Sequence, residues 1–144
     1  MSRIAIVYWS GTGNTEAMAQ AIAMGVKKAG GDASVFNVNQ FTVDDMADFS
    51  GFLFGCPAMG AEELEEAEFE PFFQQAETKL AGKPVGLFGS YGWGGGEWMK
   101  IWQERTAGTG AKLIADGLIV ENGPTDSDKA DCEELGRKMA EAVG

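Results

Sequence analysis

The sequence predicts a doubly wound α/β fold. Apolar strand-like runs alternate with helical segments along its 144 residues, and glycine-rich turns fall where strands end. The strand-like runs are continuously apolar, the pattern of strands covered on both faces in a parallel sheet. Parallel strands joined by helices require right-handed crossovers, with helices packed on either side of the sheet. A chain of this length, 44% apolar and 23% charged, matches one globular domain spanning residues 1–144. It contains no Pro/Ser-rich linker, internal repeat or low-complexity tract.

The elements follow in order. Residues 4–8 form an apolar run, and the next helix, 15–29, carries Met18, Ile22, Val26 and Ala29 at helical spacing before Gly30 and Gly31 stop it. A short strand is expected at 34–38, a helical turn at 43–49 and a second fully apolar strand at 51–56. Residues 68–79 read as a helix with Phe69, Phe72, Phe73 and Ala76 on its apolar side. Strand 84–88, helix 97–107 and an interrupted strand 113–120 precede the closing helix, 125–143, which places Cys132, Leu135, Met139 and Val143 at near-helical spacing. In such a sheet the ligand lies beyond the carboxyl ends of the strands, at the switch in strand order. Loops 9–15, 57–66 and 89–96 meet at that edge.

Composition narrows the chemistry. The formal net charge is −11 and histidine is absent, which removes most zinc sites, Ser-His-Asp triads and imidazole bases. The acidity argues against nucleic acid and anionic membranes; it serves solubility, or a partner with a basic docking patch. Two cysteines, Cys56 and Cys132, are too few for a disulfide framework or a metal cluster and read as small core residues. No apolar run approaches the ~18 residues of a membrane span. The first apolar stretch is too short for a signal-peptide core, so a cytoplasmic location is expected.

The first loop, Ser10-Gly11-Thr12-Gly13-Asn14-Thr15, sits between a buried strand and an amphipathic helix. Its glycines allow a sharp turn, its hydroxyls and amide are short donors, and the following helix offers free N–H groups and a positive dipole end. Such a loop holds a phosphate dianion without any cation. It lacks the lysine of a Walker loop, and Glu16 stands where the dinucleotide fingerprint needs glycine. Read alone, the same residues also suit a simple helix-capping turn.

The run Val7-Tyr8-Trp9-Ser10-Gly11-Thr12-Gly13-Asn14-Thr15 resembles the phosphate loop of the flavodoxin family. The likeness continues through Ala58-Met59-Gly60, Glu68-Phe69-Glu70-Pro71-Phe72 and Phe88-Gly89-Ser90-Tyr91-Gly92-Trp93-Gly94, covering about residues 4–142 and matching the short-chain type. The resemblance implies a five-stranded parallel sheet in the order 2-1-3-4-5 and one non-covalently bound FMN. Trp93, between Gly92 and Gly94, would then cover the outer face of the isoalloxazine and Met59 the inner, a placement that suits a flat, partly apolar ring. Backbone groups of Ala58, Met59, Gly60 and Ala61, and of Ser90, Tyr91, Gly92 and Trp93, would meet the pyrimidine edge. Glu62 would lie near N3, and Asn122 near the flavin and its ribityl chain. Trp98 and Trp102 read as packing residues. Ser90 is not a nucleophile, because no Gly-x-Ser-x-Gly motif or histidine accompanies it.

Two residues depart from the family pattern. Pro57 stands where relatives can have serine, and Ala61 where aspartate, asparagine or glycine is common. A type II turn would demand positive φ of Ala61, costing about 1–2 kcal/mol, whereas a type II′ turn places that demand on Gly60. The expectation is a loop biased by Ala61 toward the carbonyl-up form that favours the flavin semiquinone. Glu62, Glu63, Glu65, Glu66, Glu68 and Glu70 crowd the same region. They suit a solvated helix start, and they also disfavour adding negative charge to a flavin.

The function implied is low-potential one-electron carriage between redox proteins, such as ferredoxin-type partners and oxidoreductases with basic patches, by a monomer that transforms no substrate itself. The alternative on the same fold is an FMN-dependent NAD(P)H–quinone reductase. A flavin-free receiver-type module would need an acidic phosphoacceptor that Ser10-Gly11-Thr12 does not supply.

Overall fold

The computed structural model describes residues 3–59 and 63–144. Strands β1 (Arg3–Tyr8), β2 (Asp32–Asn37), β3 (Gly51–Gly55) and β4 (Pro84–Tyr91) alternate with helices α1 (Asn14–Lys28), α2 (Phe69–Ala76) and α3 (Glu97–Ala107). Two short strands, β5 (Lys112–Leu113) and β6 (Leu118–Glu121), precede α4 (Asp126–Val143). Every pairing between strands is parallel, in the order β2-β1-β3-β4-β5, with β6 also on β4. This is the order expected.

Alternate residues of the central strands face opposite layers, as the pleat dictates. Ala5, Val7, Phe52, Phe54, Val85 and Leu87 join a cluster with Phe69 and Phe73 of α2 and Trp98 and Trp102 of α3. On the other face Ile4, Ile6, Leu53 and Phe88 pack with Met18, Ile22 and Val26 of α1 and Cys132, Leu135 and Met139 of α4. Trp98 and Trp102 are buried core residues, as read from their spacing.

Helices α1 and α4 touch through their backbones. A Cβ placed on Gly25 would lie 2.0 Å from the carbonyl oxygen of Glu133, and one on Gly136 would lie 2.1 Å from that of Ile22. Across the sheet, the short α2 is steadied by Arg105 of α3, which bonds Glu70 bidentately at 2.9 and 2.7 Å and Glu77 at 2.9 and 2.8 Å.

The structure differs from expectation at the end of the fourth strand and at Val38. The fourth strand runs on to Tyr91, because β6 pairs with residues 88–91 and extends the ladder into what reads as loop. The interruption expected in the last strand is present, with Lys112–Leu113 and Leu118–Glu121 meeting β4 separately. Val38 opens a 3₁₀ turn, Val38–Gln40, rather than ending the second strand. Among the described residues, no helix is long and apolar enough to cross a membrane.

Candidate functional site

The chain leaves β1 for β2 on one side and later places β3 on its other side, so the switch in strand order falls beside β1. A cleft of about 330 Å³ opens there. Trp9, Gly11, Thr12 and Asn14 line it from the end of β1, and Pro57, Ala58 and Met59 from the end of β3. Ser90, Tyr91, Gly92 and Trp93 line it from β4, with Asn122 completing the wall. No lysine or arginine is among them.

The first loop is built to leave donors free. Gly13, at φ 95°, takes the left-handed conformation that starts α1, and no side chain caps the helix. The Ser10 hydroxyl accepts the Gly13 N–H at 3.0 Å and holds the turn. The N–H groups of the first helical turn have no intrahelical acceptor. An uncapped, cation-free helix start flanked by hydroxyls is a set of donors that fits a phosphate dianion, the acceptor group that FMN carries. Below it, Thr15 Oγ1 and Ser90 Oγ lie 3.1 Å apart in a buried hydrogen bond that ties this loop to β4.

Trp93 is 56% exposed at the mouth of the cleft, an unusual position for so large an apolar side chain and one open to stacking. Gly94, outside the lining, turns the chain after it at φ 81°. Asn122 holds φ 59°, a left-handed conformation asparagine tolerates, and donates its N–H to Tyr91 O at 2.8 Å. Gly60, Ala61 and Glu62 lie outside the described residues, and with them the reading of the Ala61 turn. Trp9, which sequence reasoning did not assign to the site, and Pro57, read only as a departure from the family pattern, both belong to the cleft. Trp9 caps a buried strand and donates its indole N–H to Glu68 Oε1 at 3.0 Å; Pro57 lines the second wall. An aromatic residue between a buried strand and a glycine loop was the available signal for Trp9.

The acidic stretch is not one uniform field. The Glu65 carboxylate accepts the N–H groups of Ala67, Glu68 and Phe69, each at 2.8 Å. Burial pushes its pKa up, but these three bonds outweigh burial and leave it below the ordinary value of 4.5. Glu70 is also held low, first by its hydrogen bonds to Arg105 and against the opposing effect of burial. Glu63, Glu66 and Glu68 remain exposed. Carboxylates depressed in the fold stabilise it above their unfolded pKa, and that contribution disappears as pH falls through the folded value. Stability is therefore expected to be flat above about pH 5 and to fall on acidification, with Glu65→Gln costing about 2 kcal/mol at pH 7 and flattening the acid slope. Urea unfolding between pH 3 and 7 checks this.

Neither thiol is poised for chemistry. Burial pushes Cys56 up to about 12, and burial with Asp128, Asp131 and Glu133 nearby does the same for Cys132.

The family model for flavodoxin matches residues 6–136. The chain is 49% identical to a flavodoxin of Clostridium beijerinckii over 94% of its length and 97% of the relative's. It is 51% identical to one of Megasphaera elsdenii over 96% and 99%. The solution structure of two-electron reduced Megasphaera elsdenii flavodoxin superposes with a TM-score of 0.87 at 52% identity, covering 96% of this chain and 98% of that one. All three are named flavodoxins, which supports the electron-carrier expectation over the quinone reductase. The chain belongs to the flavodoxin family.

Proposed function

We propose that this chain carries electrons between redox proteins with FMN held in the cleft between loops 9–15, 57–59 and 90–93. The observation that carries the placement is the uncapped, cation-free start of α1 opening onto an aromatic-walled cleft. When bound, FMN supplies one- and two-electron redox chemistry; the protein supplies binding, shielding and tuned electrostatics. Ser10, Gly11, Thr12, Gly13, Asn14 and Thr15 form the phosphate cradle, with Thr15 also bracing Ser90. Trp93 and Met59 offer the ring an aromatic and a polarizable surface, and Tyr91, Gly92 and Asn122 border it.

The exposed acids Glu63, Glu66 and Glu68 support a low potential, because they oppose any gain of negative charge in the cleft. One carboxylate ~8 Å away opposes an added electron by about 2 kcal/mol at an effective dielectric near 20. Glu65 and Glu70 contribute less, being offset by amide groups and by Arg105. The same rim, with the net charge of −11, suits transient docking to basic patches on partners, by field more than by area, and a monomeric carrier.

The test is stepwise anaerobic reduction of the FMN-reconstituted protein followed by its visible spectrum. Flavin bands that bleach only with a strong reductant, with no quinone turnover from NADH or NADPH, are the expected result; direct reduction by nicotinamide with quinone turnover would contradict carriage. Trp93→Ala is expected to remove about 2 kcal/mol of binding, raising the FMN dissociation constant roughly 30-fold by fluorescence titration.

A further inference from the structure

The loop that brings Met59 to the cleft is held by two unlike arms. Its leading arm is pinned to β4 through backbone bonds, Cys56 N–H to Phe88 O at 3.1 Å and Ala58 N–H to Ser90 O at 3.0 Å. Trp98 adds its indole N–H to Cys56 O at 3.2 Å. Among the described residues, the trailing arm has no such ladder. Met59 and Glu63 exchange both backbone bonds at 2.9 Å, and from there two side chains hold the arm. The Cys56 sulfur accepts the Glu65 N–H at 3.3 Å, and the Glu65 carboxylate gathers the three amides that lead into α2. Both residues are buried, Cys56 completely.

We infer that Cys56 and Glu65 are positioning residues: together they fix the trailing arm of the Met59 loop and thereby set how differently the cleft binds oxidised and reduced FMN. The inference rests on the placement of FMN proposed above. Oxidised and reduced flavin differ in charge and protonation, so backbone groups beside the ring cannot suit both equally. By linkage, the midpoint potential reports the ratio of the two affinities. Looser packing of the whole fold would weaken both forms alike and leave that ratio unchanged. A displaced loop would change it.

Cys56→Ala tests this without altering charge, since the thiol stays protonated at neutral pH. The measurements are FMN titration of the apoprotein, the two-electron midpoint potential, and urea unfolding of the apoprotein as an independent monitor of folding. The expected result is a dissociation constant for oxidised FMN raised about tenfold. The ratio of affinities should change about fivefold, a shift of ~20 mV for a two-electron couple. Cys56→Ser, whose hydroxyl also accepts an amide, should recover part of both changes. Glu65→Gln should weaken binding of oxidised FMN more than Glu66→Gln, which removes the same charge from an exposed neighbour. Should Cys56→Ala fail to fold, Cys56→Ser and the two glutamine variants carry the test. Equal losses for both redox forms, or values within twofold of wild type, would overturn the inference while leaving FMN carriage intact. Absence of FMN binding by the wild-type protein would instead remove the functional reading on which it stands.

Discussion

Gly136→Ala is expected to destabilise the protein by about 2–3 kcal/mol and lower its melting temperature by about 10 °C. Helix propensity alone predicts the opposite, since alanine in a helix interior gains about 1 kcal/mol over glycine. Contact decides the sign. The new Cβ would lie 2.1 Å from Ile22 O and 2.9 Å from Val26 N, and both obstacles are the backbone of α1. A rotamer change cannot relieve this; the helices must separate and lift Met139, Cys132 and Ile22 off the sheet. Gly95→Ala, which meets nothing within 4 Å, should stay within about 0.5 kcal/mol of wild type. Thermal unfolding of the two variants side by side makes the comparison, and a Gly136→Ala protein as stable as wild type would refute the close-contact account.

Riboflavin is expected to bind at least 10³-fold more weakly than FMN, a loss of about 4 kcal/mol, because it lacks the phosphate that the first loop is built to receive. Two or three hydrogen bonds to a charged acceptor, at about 1.5–3 kcal/mol each, account for a loss of that size. The salt dependence gives the sharper sign. A lysine-lined site would lose affinity as salt rises. Here the lining holds no cation and the protein carries −11, so the dianion approaches against a repulsive field. Added salt screens that repulsion more than it screens short bonds within the loop. Affinity for FMN should therefore rise between 10 and ~200 mM salt, and titrations across that range decide between the two kinds of site.

Much of the architecture is written in short-range patterns. The runs at 4–8 and 51–56 are apolar at every pleat position, and only a sheet covered on both faces accommodates that. The first loop is legible as glycines and hydroxyls between an apolar strand and an amphipathic helix, but a capping turn suits the same residues, and only the fold shows that no side chain caps α1. What could not be read depends on partners distant in sequence. Residues 89–91 carry loop-like Gly-Ser-Tyr, and they become strand only because β6, nearly thirty residues later, pairs with them. Glu65 is one acid in a run of six until the chain folds its next four residues back over its carboxylate. Cys56 reads as a small apolar residue, and its role as acceptor emerges only when Glu65 arrives beside it.

The broken final strand has a bearing on solution behaviour. A sheet of this kind ends in an unpaired edge, and a long, flat edge can recruit a strand from another molecule. Here that margin is divided into pieces of two and four residues, offset by the segment 114–117, where Ile114 N–H bonds back to Val85 O and Gly117 N–H to the Gln103 side chain. Neither piece is long enough to template an ordered partner, so this rim of the molecule discourages the first step of fibril growth. The same interruption marks where extra chain can be spliced in with the least disturbance to strand register, since the ladder is already discontinuous there.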